Sequence, residues 1–148
     1  MNIRKITAQD LDGLCDLFVK VFKQEPWKEE WELAWAKERL QYILDSKYSE
    51  SLIAENGHEI IGAILGRGMP FRGRLNFEIV EFFVSPHFRN QGIGTKLMIS
   101  LEQILKQAKY HEIFLLTAKG STAEIFYQKQ HYRLNEQLCL MSKVLDEC

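Results

Sequence analysis

The sequence predicts an α/β protein, built on a mixed central sheet of about six to seven strands with helices on both faces. Two observations carry this reading. Strand-like segments outnumber helical ones, in the order β-α-α-β-β-β-α-β-α-β-β. In the middle of the chain a strand, a glycine-rich turn and a long helical stripe follow one another directly between Leu75 and Ala108. A length of 148 residues suits one domain, taken as 1–148, and 46% hydrophobic residues are enough to build its core.

The elements follow in order. Asn2–Ile6 reads as a short strand. Thr7, with Asp10 three residues later, resembles a capping box before the one-faced stripe Leu11, Leu14, Leu17, Phe18, Val21 and Phe22. Beyond Pro26 a second helix is expected from about Trp27 to Asp45, with Trp27, Trp31 and Trp35 sharing one broad face. Ser51–Glu55 and Glu59–Gly66 read as strands joined by the Asn56-Gly57 turn. Arg67–Arg74, with its glycines, proline and three arginines, reads as a loop, and Leu75–Val84 as a long strand. Leu97, Met98, Leu101, Ile104, Leu105 and Ala108 form a helical stripe, and Ile113–Thr117 a short apolar strand. Ser121 and Glu124 form a second capping box, opening a helix that runs to about Gln130. Tyr132–Leu134 and Leu138–Leu145 are expected as closing strands.

Composition narrows the function. A formal net charge of −1 gives no electrostatic basis for nucleic-acid binding. No apolar run approaches a membrane span, and the start of the chain does not read as a signal peptide. Cys15, Cys139 and Cys148 are odd in number and lack ligand spacing, so a reducing, cytoplasmic setting is expected, without a metal. His58, His87, His111 and His131 show no ligand spacing either.

Val84–Thr95 reads Val-Ser-Pro-His-Phe-Arg-Asn-Gln-Gly-Ile-Gly-Thr: a strand end, a glycine turn, a helix start. The first turn of a helix has free N–H groups and the positive end of the dipole, a combination suited to phosphate. Gly92 and Gly94 allow close approach, and Arg89 supplies a full positive charge. The order Gly94-Thr95-Lys96 is wrong for a Walker loop, and a dinucleotide fingerprint lacks its third glycine near Leu97.

Arg89-Asn90-Gln91-Gly92-Ile93-Gly94 instead resembles the Arg/Gln-x-x-Gly-x-Gly/Ala loop of the GNAT superfamily of N-acetyltransferases. Val84 and Pro86 fall where that family keeps Val-x-Pro, and the order of elements matches over nearly the whole chain. The resemblance implies a GNAT-like sheet and acetyl-coenzyme A as co-substrate, with no metal. It places the pyrophosphate on Arg89, Asn90, Gln91, Gly92, Ile93, Gly94 and Thr95, and the pantetheine arm beside Phe82, Phe83 and Val84. Phe126-Tyr127-Gln128-Lys129-Gln130-His131-Tyr132 resembles the family's Phe-Tyr-Glu-Lys-x-Gly-Phe, so Tyr127 takes the place of the tyrosine that protonates the departing thiolate. Two positions depart from the family: His131 stands where glycine is usual, and Gly120 where asparagine is common.

An attacking amine must be neutral, so a base or a water chain has to take its proton. Glu78 and Glu81, six and three residues before Val84, are the candidates, and water is the third. Odd spacing puts the two glutamates on opposite faces of a regular strand, unless a bulge intervenes. The acceptor is expected to be a primary amine of a small molecule or peptide, attacked in a ternary complex. Glu25, Glu29, Glu30 and Glu32 among tryptophans favour a cationic acceptor, whereas Arg67, Arg72 and Arg74 favour an acidic one. A sensor that binds acetyl-coenzyme A without turnover, and an acetyltransferase acting on protein lysines or N-termini, are the alternatives. No nucleic-acid or membrane partner is expected. Homodimers are common in the family.

Overall fold

In the computed structural model, which describes residues 1–146, five strands lie side by side in chain order. They are β1 (Asn2–Lys5), β2 (Ser49–Asn56), β3 (Glu59–Phe71), β4 (Arg74–Val84) and β5 (Glu112–Leu115). The pairs β1–β2, β2–β3 and β3–β4 are antiparallel, and β4–β5 is parallel. The helices are α1 (Leu11–Phe22), α2 (Leu33–Leu44), α3 (Ile93–Gln107) and α4 (Thr122–Lys129). The chain divides into two compact units, Met1–Leu116 and Thr117–Cys148.

Within the first unit, pleating sorts side chains between two layers. Ile53, Ala63, Leu65 and Phe83 face α1 and α2 and join their Leu14, Phe18, Val21, Ala36, Leu40 and Ile43 in one core. Gly62 faces the other way, where an added methyl would meet Leu97 and Ile93 of α3. Of the stripe read from the sequence, Leu97, Met98, Leu101 and Leu105 are buried on α3, Ile104 is partly buried, and Ala108 is exposed just past its end. This one-stripe burial, rather than propensity alone, holds α3 in place.

The Thr7–Asp10 signal acts one step earlier than expected. Asp10 accepts from the Thr7 N–H at 2.7 Å and from its Oγ at 3.1 Å, closing a 3₁₀ turn over Ala8–Asp10 that feeds α1. Arg4 on β1 clamps the same carboxylate through two nitrogens, at 2.8 and 2.9 Å, and donates through Nε to Glu55 of β2 at 3.0 Å. The first strand, the start of the first helix and the β2–β3 hairpin are thereby tied at one charged node.

Three expectations change. The second helix starts at Leu33, not near Trp27. Lys28 takes a left-handed φ of 49°, which a right-handed helix does not admit, so Trp27 and Trp31 lie outside α2. Trp31 packs edge-on against Phe18 at 5.0 Å, whereas Trp35 is exposed, so the three tryptophans form no common face. Arg67–Arg74 is not a loop. β3 and β4 continue through it to a two-residue turn at Arg72 and Gly73, with φ of 52° and 83°. Positive φ at both positions is what the twist of a tight hairpin demands. The strand count is five among the described residues, because Tyr132–Leu134 and Leu138–Leu145 are not strands. A strand exists through its ladder partners, and inside the Thr117–Cys148 unit no ladder forms among the described residues. Cys148 lies outside the described residues. No helix among the described residues is long and apolar enough to cross a membrane.

In the second unit α4 opens as expected, with Ser121 Oγ accepting from the Glu124 N–H at 3.2 Å. It closes on His131, whose φ is 70°. The Tyr132 N–H reaches the Tyr127 carbonyl, and the His131 N–H the Gln128 carbonyl, both at 3.0 Å. This is the double bond pattern of a Schellman cap, completed by the Tyr127–Tyr132 ring contact at 6.0 Å. The departure from glycine at 131 therefore leaves the turn geometry in place: histidine adopts the conformation glycine would.

Candidate active site

The site in the first unit is set by one irregularity in β4. Between β3 and β4 the register runs Leu65↔Glu81 and then Gly66↔Ile79, so Val80 is an extra residue, a bulge. Partners across an antiparallel ladder share a face, and so do residues two apart on one strand. Glu81 lies opposite Leu65 and Glu78 opposite Arg67, and Leu65 and Arg67 share a face. The bulge thus brings Glu78 and Glu81 to the same side, the side covered by α1 and α2. Strict alternation would have separated them.

Gly66 makes the bulge sterically feasible. A methyl there would collide with the Glu78 carbonyl and the Phe77 ring. β5 runs beside β4 only from Asn76↔Glu112 to Ile79↔Leu115. From Val80 to Val84 the outer edge of β4 has no strand beside it in this unit, and Phe82, Phe83 and Val84 all lie on that stretch.

Over the two glutamates, α2 lays residues one turn apart. Arg39 Nε donates to Glu81 Oε2 at 2.6 Å. Tyr42 Oη accepts from Arg67 at 3.0 Å, with the guanidinium 5.5 Å from its ring centre, and Arg67 approaches Glu78 at 3.7 Å. Glu81 is nearly fully buried, and its proton affinity is raised by desolvation, offset in part by Arg39 and increased by the negative charge of Glu29. Beside this pair, Nε of Arg67 and Oδ1 of Asn76 are buried with no hydrogen-bond partner among the described residues. Arg67 and Asn76 are diagonal neighbours on the same face, so a donor and an acceptor lie unsatisfied close together.

The charged cues to the acceptor are largely engaged within the protein. Arg67 is held as above, and Arg74 donates to the carbonyls of Lys109 and Tyr110. Glu25 pairs with Lys28, and Glu29 accepts from the Trp31 indole. Sequence reasoning overlooked Arg39, because a lone arginine on an amphipathic helix carries no signal until the sheet beneath it is known.

Past β4, Ser85 donates its N–H to the Ile61 carbonyl at 2.7 Å, and Pro86–Phe88 form a 3₁₀ turn. Arg89, Asn90 and Gln91 then lead to Gly92, the N-cap of α3, with a left-handed φ of 78°. Asn90 is left-handed too, at 62°. The first bond of α3 runs from the Lys96 N–H to the Gly92 carbonyl, so Ile93, Gly94 and Thr95 point N–H groups out of the helix end, and no side chain caps them. A side chain on Gly92 would meet nothing within 4 Å, so the space in front of the helix is open. In the second unit, Tyr127 lies half-buried on α4, between the rings of Phe126 and Tyr132.

A bulged strand running into a glycine turn and an uncapped helix N-terminus is an α/β arrangement whose chemistry suits an anion. The particular family is shown by comparison: the chain belongs to the acetyltransferase (GNAT) family, whose model matches residues 12–132. Solved structures agree on the fold. A transcriptional regulator from Bacillus halodurans C-125 is 23% identical, with a TM-score of 0.78 over 96% of this chain and 99% of its own. An aminoglycoside acetyltransferase from an uncultured soil metagenome, in complex with trehalose, is 22% identical, with a TM-score of 0.77 over 98% and 96%. The aminoglycoside 6'-N-acetyltransferase of Acinetobacter haemolyticus is 20% identical, with a TM-score of 0.77 over 99% and 100%. The six-to-seven-strand expectation is thus right in kind and high in number.

Proposed function

We propose that the protein transfers an acetyl group from acetyl-coenzyme A to a primary amine of a small molecule or peptide, by direct attack in a ternary complex. The observation that carries this is the open N-terminus of α3 behind Gly92, at the end of a bulged strand that β5 accompanies only as far as Ile79. The N–H groups of Ile93, Gly94 and Thr95, with the loop Arg89-Asn90-Gln91 and its guanidinium, suit a pyrophosphate. By its place in the family, the stretch Phe82, Phe83 and Val84 of β4 would take the amide-bearing arm, which pairs like an added strand. Nothing in this chemistry calls for a metal, and no metal-ligand cluster occurs among the described residues.

In the reaction the amine nitrogen forms a bond to the thioester carbonyl carbon. The carbon–sulfur bond breaks, Tyr127 donates a proton to the leaving thiolate, and the proton lost by the amine passes to Glu81, directly or through water. Glu81 is preferred to Glu78 because burial raises its proton affinity, whereas Glu78 sits beside Arg67 on the more open part of the strand. Aminoglycosides, the substrates named for two of the structural neighbours, belong in the first amine panel. The test is calorimetric titration with acetyl-coenzyme A, then free-thiol release across that panel. Binding with release is expected. Gly92→Val should abolish the binding; unchanged affinity in that variant would remove the loop from the site. Binding without release by any amine would favour a sensor.

A further inference from the structure

We propose that Arg39 is a positioning residue for this reaction: from α2 it holds the Glu81 carboxylate ionised and fixed in one rotamer beside the bulge of β4. The inference rests on the reading of Glu81 as the base.

The geometry is specific. Arg39 sits on the exposed flank of α2, with 44% of its side chain accessible, yet it reaches inward to a carboxylate that is only 10% accessible. The 2.6 Å bond from Nε is its one interaction among the described residues. An isolated half-exposed pair of this kind adds little to folding. The consequence for Glu81 is larger, because a buried carboxylate left alone takes up a proton instead of remaining charged. The groups facing Glu81 are few. Arg39 comes from α2 and Glu29 from the segment before it, while Leu65 lies opposite on β3. α1 buries no charged residue against the sheet, and Glu78, further along the face, is occupied with Arg67. Arg39 is therefore the cation that opposes both the desolvation of Glu81 and the repulsion from Glu29. A base must be unprotonated to act, so without Arg39 the reaction should demand a higher pH.

The two roles separate experimentally. Glu81 can be followed by carbon-13 NMR of labelled glutamate carboxyls, assigned with Glu81→Gln. Rates can be followed as thiol release from acetyl-coenzyme A, with n-butylamine as a fixed primary-amine probe. Arg39→Met should move the Glu81 titration to higher pH and lower kcat/KM about tenfold on the acid side of the profile, with recovery on the alkaline side. Acetyl-coenzyme A affinity should be unchanged, and Arg39→Lys should restore part of the acid-side rate, because it returns the charge without the planar donor. A Glu81 titration unmoved by Arg39→Met would overturn the proposal by itself. So would a rate loss equal at every pH, which would mean that Arg39 is only structural. Full activity in Glu81→Gln would remove the base reading, and the proposal with it, whatever the titration shows.

Discussion

Replacing Gly66 with alanine tests the device on which the site depends. An added Cβ would lie 2.6 Å from Cζ of Phe77 and closer still to the Glu78 carbonyl. Neither can step aside: the carbonyl belongs to the β3–β4 ladder and Phe77 is fully buried. Relief requires β3 to lift from β4 or the bulge at Val80 to rearrange. Overpacking of this kind costs about 1 to 3 kcal/mol, and each ladder hydrogen bond lost adds about 1. A total of about 3 kcal/mol is a large part of the 5–15 kcal/mol that holds a typical domain together. For a chain of this length that corresponds to a fall in melting temperature of about 10 °C. Gly57→Ala is the matched control. Its φ is +65° but nothing lies within 4 Å, so only backbone strain of about 1 kcal/mol is at stake. Thermal and urea unfolding of both variants decide the matter. Equal losses, or a Gly66→Ala loss below about 1 kcal/mol, would refute the steric account of the bulge.

Two further outcomes are expected. Asp10 is held down to about 2, chiefly by its bonds to Arg4 and also by those from Thr7. Its contribution is complete above the unfolded value near 3.8 and is lost as pH falls toward 2. Asp10→Asn should therefore remove about 2 kcal/mol at pH 6 and flatten the acid limb of the stability curve; urea midpoints from pH 2 to 6 measure both, and an unchanged slope would contradict the assignment. At the end of α4, His131→Val should cost about 1 kcal/mol more than His131→Gly, since a β-branched residue is poorly suited to a φ of 70°; melting curves showing no difference would argue against the left-handed cap.

The parts of the fold that were legible are those set by local chemistry. The Leu97–Leu105 stripe, the Asn56-Gly57 turn and the Ser121 cap each depend on residues a few positions apart, and each is present. The missed start of α2 turns on Lys28 adopting a left-handed φ, and lysine gives no sign of that. The hairpin through Arg67–Arg74 was hidden because its glycines and proline suggest a loop, whereas long-range pairing absorbs them into two strands. Among the site residues, the glycine turn before α3 could be placed from its motif. The partners of Glu78 and Glu81 could not, because Arg67 and Arg39 lie 11 and 42 residues away.

The bulge shows why spacing alone could not resolve the two carboxylates. A separation of three puts side chains on opposite faces only while every residue has one partner across the ladder. Val80 has none of its own, and that single extra residue reverses the parity for everything that precedes it on β4. Glu78 then shares a face with Glu81, but it pairs with a cation from the neighbouring strand, whereas Glu81 pairs with one from the helix above. The two carboxylates consequently differ in burial and in charge environment, although they belong to one strand and one face. A difference of this kind separates a candidate proton acceptor from a structural ion pair. It follows from the pairing of Gly66 with Ile79, since only a residue without a side chain lets the neighbouring strand pass close enough to hold the extra residue in place.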